Sequence, residues 1–157
     1  MLHSPEVNAE FAGAGYFKKT LPIKARQVPA GTTEMVIVNS GATRDTAVGD
    51  DGDWICTSHG LGEDYVVHGL DFSDIYHDTP TSDGLYVPQD TREKWRKLIK
   101  LRTNVVFVAP WGYTQAIEKG GYLIERKVAH GPRAGVIERY GIAQEDAEPD
   151  YQPVAAE

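Results

Sequence analysis

The sequence predicts a mainly β protein with minor α structure, built from two divergent small β-units of the meander or small-barrel type. Two observations lead to this prediction. Short segments rich in β-branched and aromatic residues alternate with turns that contain Gly, Asp and Asn, as in meanders and small barrels. The same order of segments then occurs twice along the 157 residues, which is typical of an internal repeat.

The first unit is predicted over residues 16–78, after a flexible leader at 1–15 that is small, polar and glycine-bearing. Leu21, Ile23 and Ala25 alternate with basic residues, which is the period of a half-buried strand. Further strands are predicted at 35–38, 54–57 and 65–67, with turns at 39–41 and 50–53 and a short closing helix at 70–76.

A linker with two prolines is predicted at 79–90, and the second unit at 91–154. This unit is expected to begin with a basic amphipathic helix, because Trp95, Leu98 and Ile99 fall on one helical face. Further strands are predicted at 105–109, 122–124 and 134–140. The last dozen residues, which are acidic and contain two prolines, are expected to fray, with residues 155–157 as the tail.

The two halves correspond element by element. In each half a β-branched strand leads through a glycine-containing turn to further strands and to an acidic stretch that ends in tyrosine, Tyr76 or Tyr151. A duplication predicts two similar units packed about a pseudo-twofold axis, or one barrel completed by both. A chance resemblance between two β-rich halves is the alternative.

The first unit also carries a series of short motifs: Lys18-Lys19, Ala25-Arg26, Gly52-Asp53-Trp54-Ile55, Gly62-Glu63-Asp64-Tyr65, Phe72 and Tyr76. This series resembles the PGDYG-type small domain of bacterial and phage-encoded proteins of unassigned function, and a fainter version covers residues 103–154. Asp51 stands where that family has proline, and Gly121 stands where the first unit has Asp53. The resemblance implies a fold and a phage or mobile-element context, and it supplies no catalytic residues.

Composition and charge limit the function classes. The formal net charge of −7 argues against nonspecific wrapping of nucleic acid by the whole surface. Cys56 is the only cysteine, which excludes an intramolecular disulfide and a cysteine zinc site, and we interpret it as a buried small hydrophobe. The longest apolar run, at 105–110, is far shorter than the roughly 20 residues of a membrane helix. We expect a cytoplasmic protein (in the host cytoplasm or a virion if phage-encoded) without a signal peptide or a cofactor.

Four polar residues after the strand at 65–67 are candidates for chemistry. His68, Asp71, Asp74 and His77 are spaced by three, which places neighbours at adjacent positions of a helical face. Such a set suits a divalent metal, and the first, second and fourth of them suit acid–base catalysis. A polar outer face of a short helix is the alternative, and because the second half lacks these residues we expect no metal.

The predicted basic helix is the better candidate for binding. Residues 92–102 hold six of the chain's 16 Lys and Arg residues, with only Glu93 to offset them. Arginine forms bidentate contacts with phosphate, and Trp95 could stack on a base or sugar. A solvated helix face paired with acidic turns is the alternative. The residues expected to bind a small anion are Arg92, Arg96, Lys97, Lys100 and Arg102.

Trp111 and Tyr113 lie at a predicted turn, where exposed rings would contact a protein partner or a second copy of the chain. Rings packed over the mouth of a small barrel are the alternative. Together these features favour a noncatalytic binding or structural module, phage- or prophage-associated, that engages a protein partner or a small anionic ligand. The alternative is a small enzyme that acts on a nucleotide-like substrate with His and Asp groups. No membrane contact is expected, and nucleic acid is expected only through the basic segment, if at all.

Overall fold

The chain forms several open β-sheets with three short α-helices. This is a computed structural model that describes residues 1–40, 43–60 and 62–154, with 38–40 and 43–46 described by their backbone alone. The described residues contain 13 strands in four sheets, so the predicted mainly β class with minor α structure is confirmed. None of the helices in these ranges is long and apolar enough to cross a bilayer.

The elements are short throughout. The helices are α1 (Pro5–Gly13), α2 (Gly69–Ile75) and α3 (Gln144–Asp150), and a single 3-10 turn spans Arg92–Lys94. The strands are β1 (Tyr16–Lys19), β2 (Ile23–Gln27), β3 (Glu34–Ser40), β4 (Thr43–Gly49), β5 (Trp54–Thr57), β6 (Asp64–Val67), β7 (Leu85–Tyr86), β8 (Arg96–Lys100), β9 (Val105–Val108), β10 (Thr114–Ile117), β11 (Tyr122–Lys127), β12 (Ile137–Ile142) and β13 (Tyr151–Pro153).

Most of the predicted strands and the closing helix at 70–76 are confirmed. The last predicted strand, at 134–140, instead begins at Ile137 and is preceded by a turn. The predicted tail at 155–157 and part of the predicted turn at 39–41 lie outside the described residues. The expected fraying of the last dozen residues is wrong up to residue 154, because they include the end of α3 and strand β13, which pairs with β1.

The two larger sheets share one strand arrangement. The first has the order β6-β5-β2-β7 and the second the order β12-β11-β8-β1-β13, and all neighbouring strands are antiparallel. In each half a sheet strand is followed by a hairpin (β3–β4 or β9–β10), two more sheet strands and a short helix. The duplication itself stays a prediction, but the shared order allows positions in one sheet to be compared with positions in the other.

The sheets do not follow the predicted domain boundaries. Strand β1 lies within the predicted first unit, yet it pairs with β8 and β13 of the second sheet. Strand β7 lies within the predicted linker at 79–90 and pairs with β2. Gln89 of the same segment donates through Nε2 to the carbonyl of Tyr76 at 3.0 Å, and Tyr76 bridges Pro88. The segment is therefore hydrogen-bonded to the first sheet.

The predicted leader at 1–15 is not loose, because it contains helix α1. The Ser4 hydroxyl accepts from the backbone N–H of Val7 at 3.2 Å, and Pro5 occupies the first turn, as at many helix N-termini. Phe11 of α1 is 1% exposed and packs in the core cluster of the second sheet, with Ile99 against it. The helix therefore covers one face of that sheet.

The predicted basic amphipathic helix is wrong, because beyond the 3-10 turn this segment is strand β8. The side chains of Leu98 and Ile99 enter core clusters on opposite faces of the sheet, the former with Tyr151 and the latter with Phe11. Burial on both faces is incompatible with a helix that presents one apolar stripe to a core. β8 is instead a central strand between β1 and β11.

Helices α2 and α3 each contain one buried aspartate that binds basic groups of the other half of the chain. Asp74 in α2 accepts from Lys94 at 2.9 Å and from Arg126 at 3.0 Å. Asp150, at the end of α3, pairs with Lys19. Burial would raise the pKa of Asp74, but these basic groups and backbone donors hold it below its usual value. The backbone N–H donors are those of Ala129 and His130 for Asp74, and of Thr20 and Leu21 for Asp150.

Candidate functional site

Arg96, the first residue of β8, lies in the interior of the protein with only 5% of its surface exposed. On the neighbouring strand β1, Phe17 lies opposite Arg96. Side chains alternate along a strand, so Arg96 lies on the same face as Leu98, which packs with Ile124 and Tyr151. Arg96 therefore belongs to the core-facing side of the second sheet.

The corresponding position of the first sheet is occupied by Ile23. This correspondence rests on the paired rows Tyr65–Cys56–Ala25 and Tyr140–Ile124–Leu98, which cross equivalent strands of the two sheets. Ile23 precedes Ala25 by two residues, as Arg96 precedes Leu98. Because an apolar side chain that is 1% exposed fills the first of these positions, the sheet arrangement itself does not require a charge there.

Arg96 and Ile23 both line a cavity of about 250 Å³ between the two halves of the chain. The cavity wall comes mainly from β6 and α2 on one side and from β12 and α3 on the other. Two helix-terminal tyrosines contribute to it, Tyr76 after α2 and Tyr151 after α3, together with Tyr65 and Tyr140 from the strands. The cavity thus places the buried guanidinium of Arg96 in one wall with these four phenol rings.

The hydrogen bonds of the Arg96 guanidinium are incomplete. Its Nη1 donates to the hydroxyl of Tyr151 at 2.6 Å and to that of Tyr140 at 3.2 Å. Its Nε is buried and has no hydrogen-bond partner among the described residues. A buried N–H without a partner destabilises a protein by about 1–3 kcal/mol, and more when the group is charged.

Arg96 also differs from the other basic groups of the cavity wall in having no carboxylate partner in the described part of the chain. Lys19 pairs with Asp150, and Arg126 pairs with Glu138 at 3.0 Å as well as with Asp74. A buried charge is normally compensated by such a partner, because removal of an ion from water costs several kcal/mol. The positive charge of Arg96 is therefore available to a negatively charged ligand.

The surrounding tyrosines do not neutralise this charge. Burial raises the pKa of Tyr140 to about 12 and raises the pKa values of Tyr65, Tyr76 and Tyr151 as well. All four phenols are therefore neutral at pH 7, whereas an arginine side chain stays protonated in proteins. Their hydroxyls orient the guanidinium and leave its charge intact.

Trp111 and Tyr113, predicted as contacts for a partner, also line the cavity. The Trp111 ring lies 5.3 Å from the Tyr140 ring and 5.7 Å from the Tyr113 ring, and Trp111 remains 40% exposed. The turn therefore forms an aromatic wall that reaches the surface beside Tyr140. A contact with a partner protein at this place stays a prediction.

The structure separates Arg96 from the other four basic residues predicted to bind an anion, since none of those lines the cavity. The Nζ of Lys97 donates to the carbonyl of Phe11 at 3.1 Å on the opposite face of the sheet. Lys100 and Arg102 instead border an open groove beside α1, and Arg92 lies over the Trp95 ring. Lys97 is separated from Arg96 because a strand sends successive side chains to opposite faces, Lys100 lies at the far end of β8, and Arg92 and Arg102 lie outside this strand.

The predicted His and Asp set does not converge. Asp74 is fixed in the ion pairs described above, and Asp71 contacts Arg133 at 3.1 Å. His77 is exposed and does not line the cavity, although His68 and Asp71 do. Among the described residues, no group of three or more His, Cys, Asp or Glu side chains could hold a metal ion.

Asp53 contacts His68 at the start of α2, and this contact has a structural role. Asp53 is buried and lies 3.3 Å from Nδ1 of His68. Its other carboxylate oxygen accepts from the N–H of Gly69, the first residue of α2, at 3.2 Å. The aspartate of the Gly52-Asp53-Trp54 motif thus stabilises the start of the helix.

Cys56 has no exposed surface, and burial raises the pKa of its thiol to about 12. The interpretation of this residue as a buried hydrophobe is confirmed. It is a thiol, and not a reactive thiolate, at neutral pH.

Sequence reasoning identified Arg96 but missed the tyrosines around it. Tyr65 and Tyr140 are predicted as residues of strands, and Tyr76 and Tyr151 only as the ends of two acidic stretches. The available signal was the recurrence of tyrosine at equivalent places in both halves. Its meaning depends on the distance between the halves, which one sequence does not provide.

Comparison with known proteins adds no relative: the chain matches no protein-family model, no curated protein and no solved structure at a significant level. The resemblance to the PGDYG-type domain stays a prediction.

Proposed function

We propose that this chain is a noncatalytic binding module that holds a small anion, a carboxylate or a phosphate, in the cavity at Arg96. The observation that carries the proposal is the buried guanidinium, for which the described residues provide neither a partner for Nε nor a carboxylate. Arginine presents a rigid set of donors that matches carboxylate and phosphate oxygens. A bound anion would supply both the missing acceptor and the missing countercharge.

Two further features support a ligand over a purely structural arginine. The equivalent position of the first sheet is served by Ile23, which carries no charge. The space beside Arg96, about 250 Å³, corresponds to roughly eight water molecules at about 30 Å³ each. It is smaller than the 300–1,000 Å³ or so of typical drug-sized pockets, which favours a small metabolite over a nucleotide.

The proposal does not extend to catalysis. The cavity wall includes His68 and Asp71, but their nearest partners are Asp53 and the arginines at 126 and 133. A phage or mobile-element origin is retained from the sequence resemblance, and a protein partner at Trp111 and Tyr113 is a separate, weaker proposal.

The test is thermal unfolding of the wild type, Arg96→Ile and Arg102→Met with inorganic phosphate and with monocarboxylates from acetate to hexanoate. Arg96→Ile copies the residue of the equivalent position, and Arg102→Met removes an exposed arginine outside the cavity. At a ligand concentration 100-fold above Kd we expect a gain of about 2.7 kcal/mol, or a rise in Tm of about 5–10 °C.

The expected pattern is a rise in Tm for the wild type and Arg102→Met and none for Arg96→Ile. The proposal is wrong if none of these anions raises the Tm of the wild type, or if the shift is the same in Arg96→Ile.

A further inference from the structure

The wall of the Arg96 cavity contains more negative than positive groups. Three basic side chains line it, Lys19, Arg96 and Arg126, against six carboxylates. Three of these carboxylates are engaged with the basic groups, because Asp150 pairs with Lys19 while Glu138 and Asp71 contact Arg126. The wall also contains the carboxylates of Glu63, Asp64 and Asp146, of which Asp146 accepts from the backbone N–H of Gly60.

Glu63 and Asp146 come from opposite halves of the chain and lie close together. The backbone N–H of Gly60 donates to Oδ1 of Asp146 at 2.8 Å, which holds the loop before β6 against α3. A Cβ at position 60 would lie 2.1 Å from the carbonyl oxygen of Glu145, so this contact is tight. Both carboxylates line the cavity, and burial together with the negative charge of Asp146 raises the pKa of Glu63.

The two charged regions face the same cavity. One is the guanidinium of Arg96, which is more than nine-tenths buried and whose Nε has no hydrogen-bond partner among the described residues. The other is formed by the carboxylates of Glu63 and Asp146. A simple anion would gain from the first region and be repelled by the second. A molecule with an anionic and a cationic end gains from both, and its net charge of zero is compatible with entry into an acidic protein.

Resting on the proposed function above, we infer that the ligand is a small zwitterion of amino-acid size, with its carboxylate on Arg96 and its ammonium group at Glu63 and Asp146. A volume of about 250 Å³ accommodates a free amino acid. The aromatic wall of Trp111 and Tyr113 adds ring faces that attract an ammonium group. The distance between the ammonium group and the carboxylate of the ligand is determined by the titration series below.

Calorimetric titration of the full chain measures how the carboxylate and the ammonium group of a ligand each contribute to its affinity. The zwitterionic probes are L-leucine and the series glycine, β-alanine, 4-aminobutanoate and 6-aminohexanoate, in which the distance between ammonium and carboxylate increases. Each is matched by the acid without its amino group (4-methylpentanoate, acetate, propanoate, butanoate or hexanoate). 3-Methylbutylamine, butylamine and hexylamine serve as amines without a carboxylate. The variants are Arg96→Ile, Glu63→Gln and, as a control for loss of an exposed carboxylate outside the cavity, Glu118→Gln.

We expect at least one zwitterion to bind the wild type at least 10-fold more tightly than its matched acid. Glu63→Gln should remove that preference while the matched acid keeps its wild-type affinity, and Glu118→Gln should leave both affinities unchanged. Arg96→Ile should abolish binding of zwitterion and acid alike.

Each other outcome has a separate meaning. If the acids bind as tightly as the zwitterions, or if Glu63→Gln keeps the preference, the zwitterion inference is wrong and the anion-binding proposal stands. If neither acids nor zwitterions bind, the zwitterion inference is wrong, and the anion-binding proposal is wrong as well unless inorganic phosphate raises the Tm of the wild type. Amines that bind without a carboxylate, independently of Arg96, also contradict both.

Discussion

Replacement of Arg96 by isoleucine provides a thermodynamic test of whether this arginine is structural. The substitution removes two charge-assisted hydrogen bonds, to Tyr151 and Tyr140, each of which is worth about 1.5–3 kcal/mol. It also removes a buried charge that no carboxylate compensates, whose desolvation costs several kcal/mol. The phenols left behind are neutral, and the hydroxyls of Tyr140 and Tyr151 can bond to each other.

These opposing contributions nearly cancel. We therefore expect the free energy of unfolding of Arg96→Ile to lie within about 2 kcal/mol of the wild type, in either direction. The matched control is Arg126→Ile, because Arg126 is equally buried but pairs with Asp74 and Glu138. Loss of Arg126 removes one of the two cations of each buried carboxylate, since Asp74 keeps Lys94 and Glu138 keeps Arg133. It should still destabilise the protein by about 3 kcal/mol, because a buried ion pair is broken with no loss of negative charge.

Urea unfolding with linear extrapolation measures both variants, and an unchanged m-value indicates that the same surface is exposed on unfolding. The ligand must be absent, because a bound anion stabilises only the wild type. If Arg96→Ile loses as much stability as Arg126→Ile, Arg96 is a structural residue and the reasoning is refuted.

Three further outcomes are expected. Asp74→Asn should lower the free energy of unfolding, measured in urea, by about 3 kcal/mol. Because the folded pKa of Asp74 lies below its unfolded value of 3.8, this difference should persist above about pH 4 and shrink as the pH falls through the folded pKa. A difference that does not change with pH would contradict this expectation. Gly69→Ala should lower the Tm, since a Cβ would lie 2.6 Å from the carbonyl oxygen of Gly52, whereas Gly13→Ala, with open space around position 13, should not; equal effects would contradict this. Cys56 should resist alkylation at pH 8 in the native state and react in urea, whereas rapid native labelling would contradict its burial.

The sequence patterns were sufficient for most strands and for the mainly β class, since short β-branched segments between glycine turns have few other interpretations. Two of the errors in the elements, at 1–15 and 91–102, have one physical cause. Helix α1 packs its Phe11 against the outer face of the second sheet, beside Ile99. Because residues 1–15 were predicted as a loose leader, only one face of the segment that forms β8 was expected to be buried. The spacing of its apolar residues then fitted an amphipathic helix. Ser4 and Pro5, a helix cap followed by a helix-initiating proline, indicate in the sequence where α1 begins.

The candidate site was predictable only in part. A basic residue is interpreted as an anion contact from its type, and for Arg96 the structure adds what sequence does not provide: burial, an unpartnered Nε and a cavity. The carboxylate of Glu63 comes close to Asp146 only through the packing of the two halves. Residues more than 80 positions apart are brought together by the sheets, and no local periodicity encodes such a distance.

The side-chain Nε–H signal of Arg96 in ¹⁵N nuclear magnetic resonance spectra tests the central claim most directly. The signal is assigned by its absence in Arg96→Ile, and the protein is titrated with 4-aminobutanoate, hexanoate and inorganic phosphate. Because Nε has no hydrogen-bond partner in the described residues, an acceptor that reaches it should change its environment strongly. The account predicts a saturable shift of this signal by at least one of these ligands, larger than that of any other arginine. Titrations that leave the Arg96 signal unchanged while other signals saturate, or that change no signal at all, would contradict it.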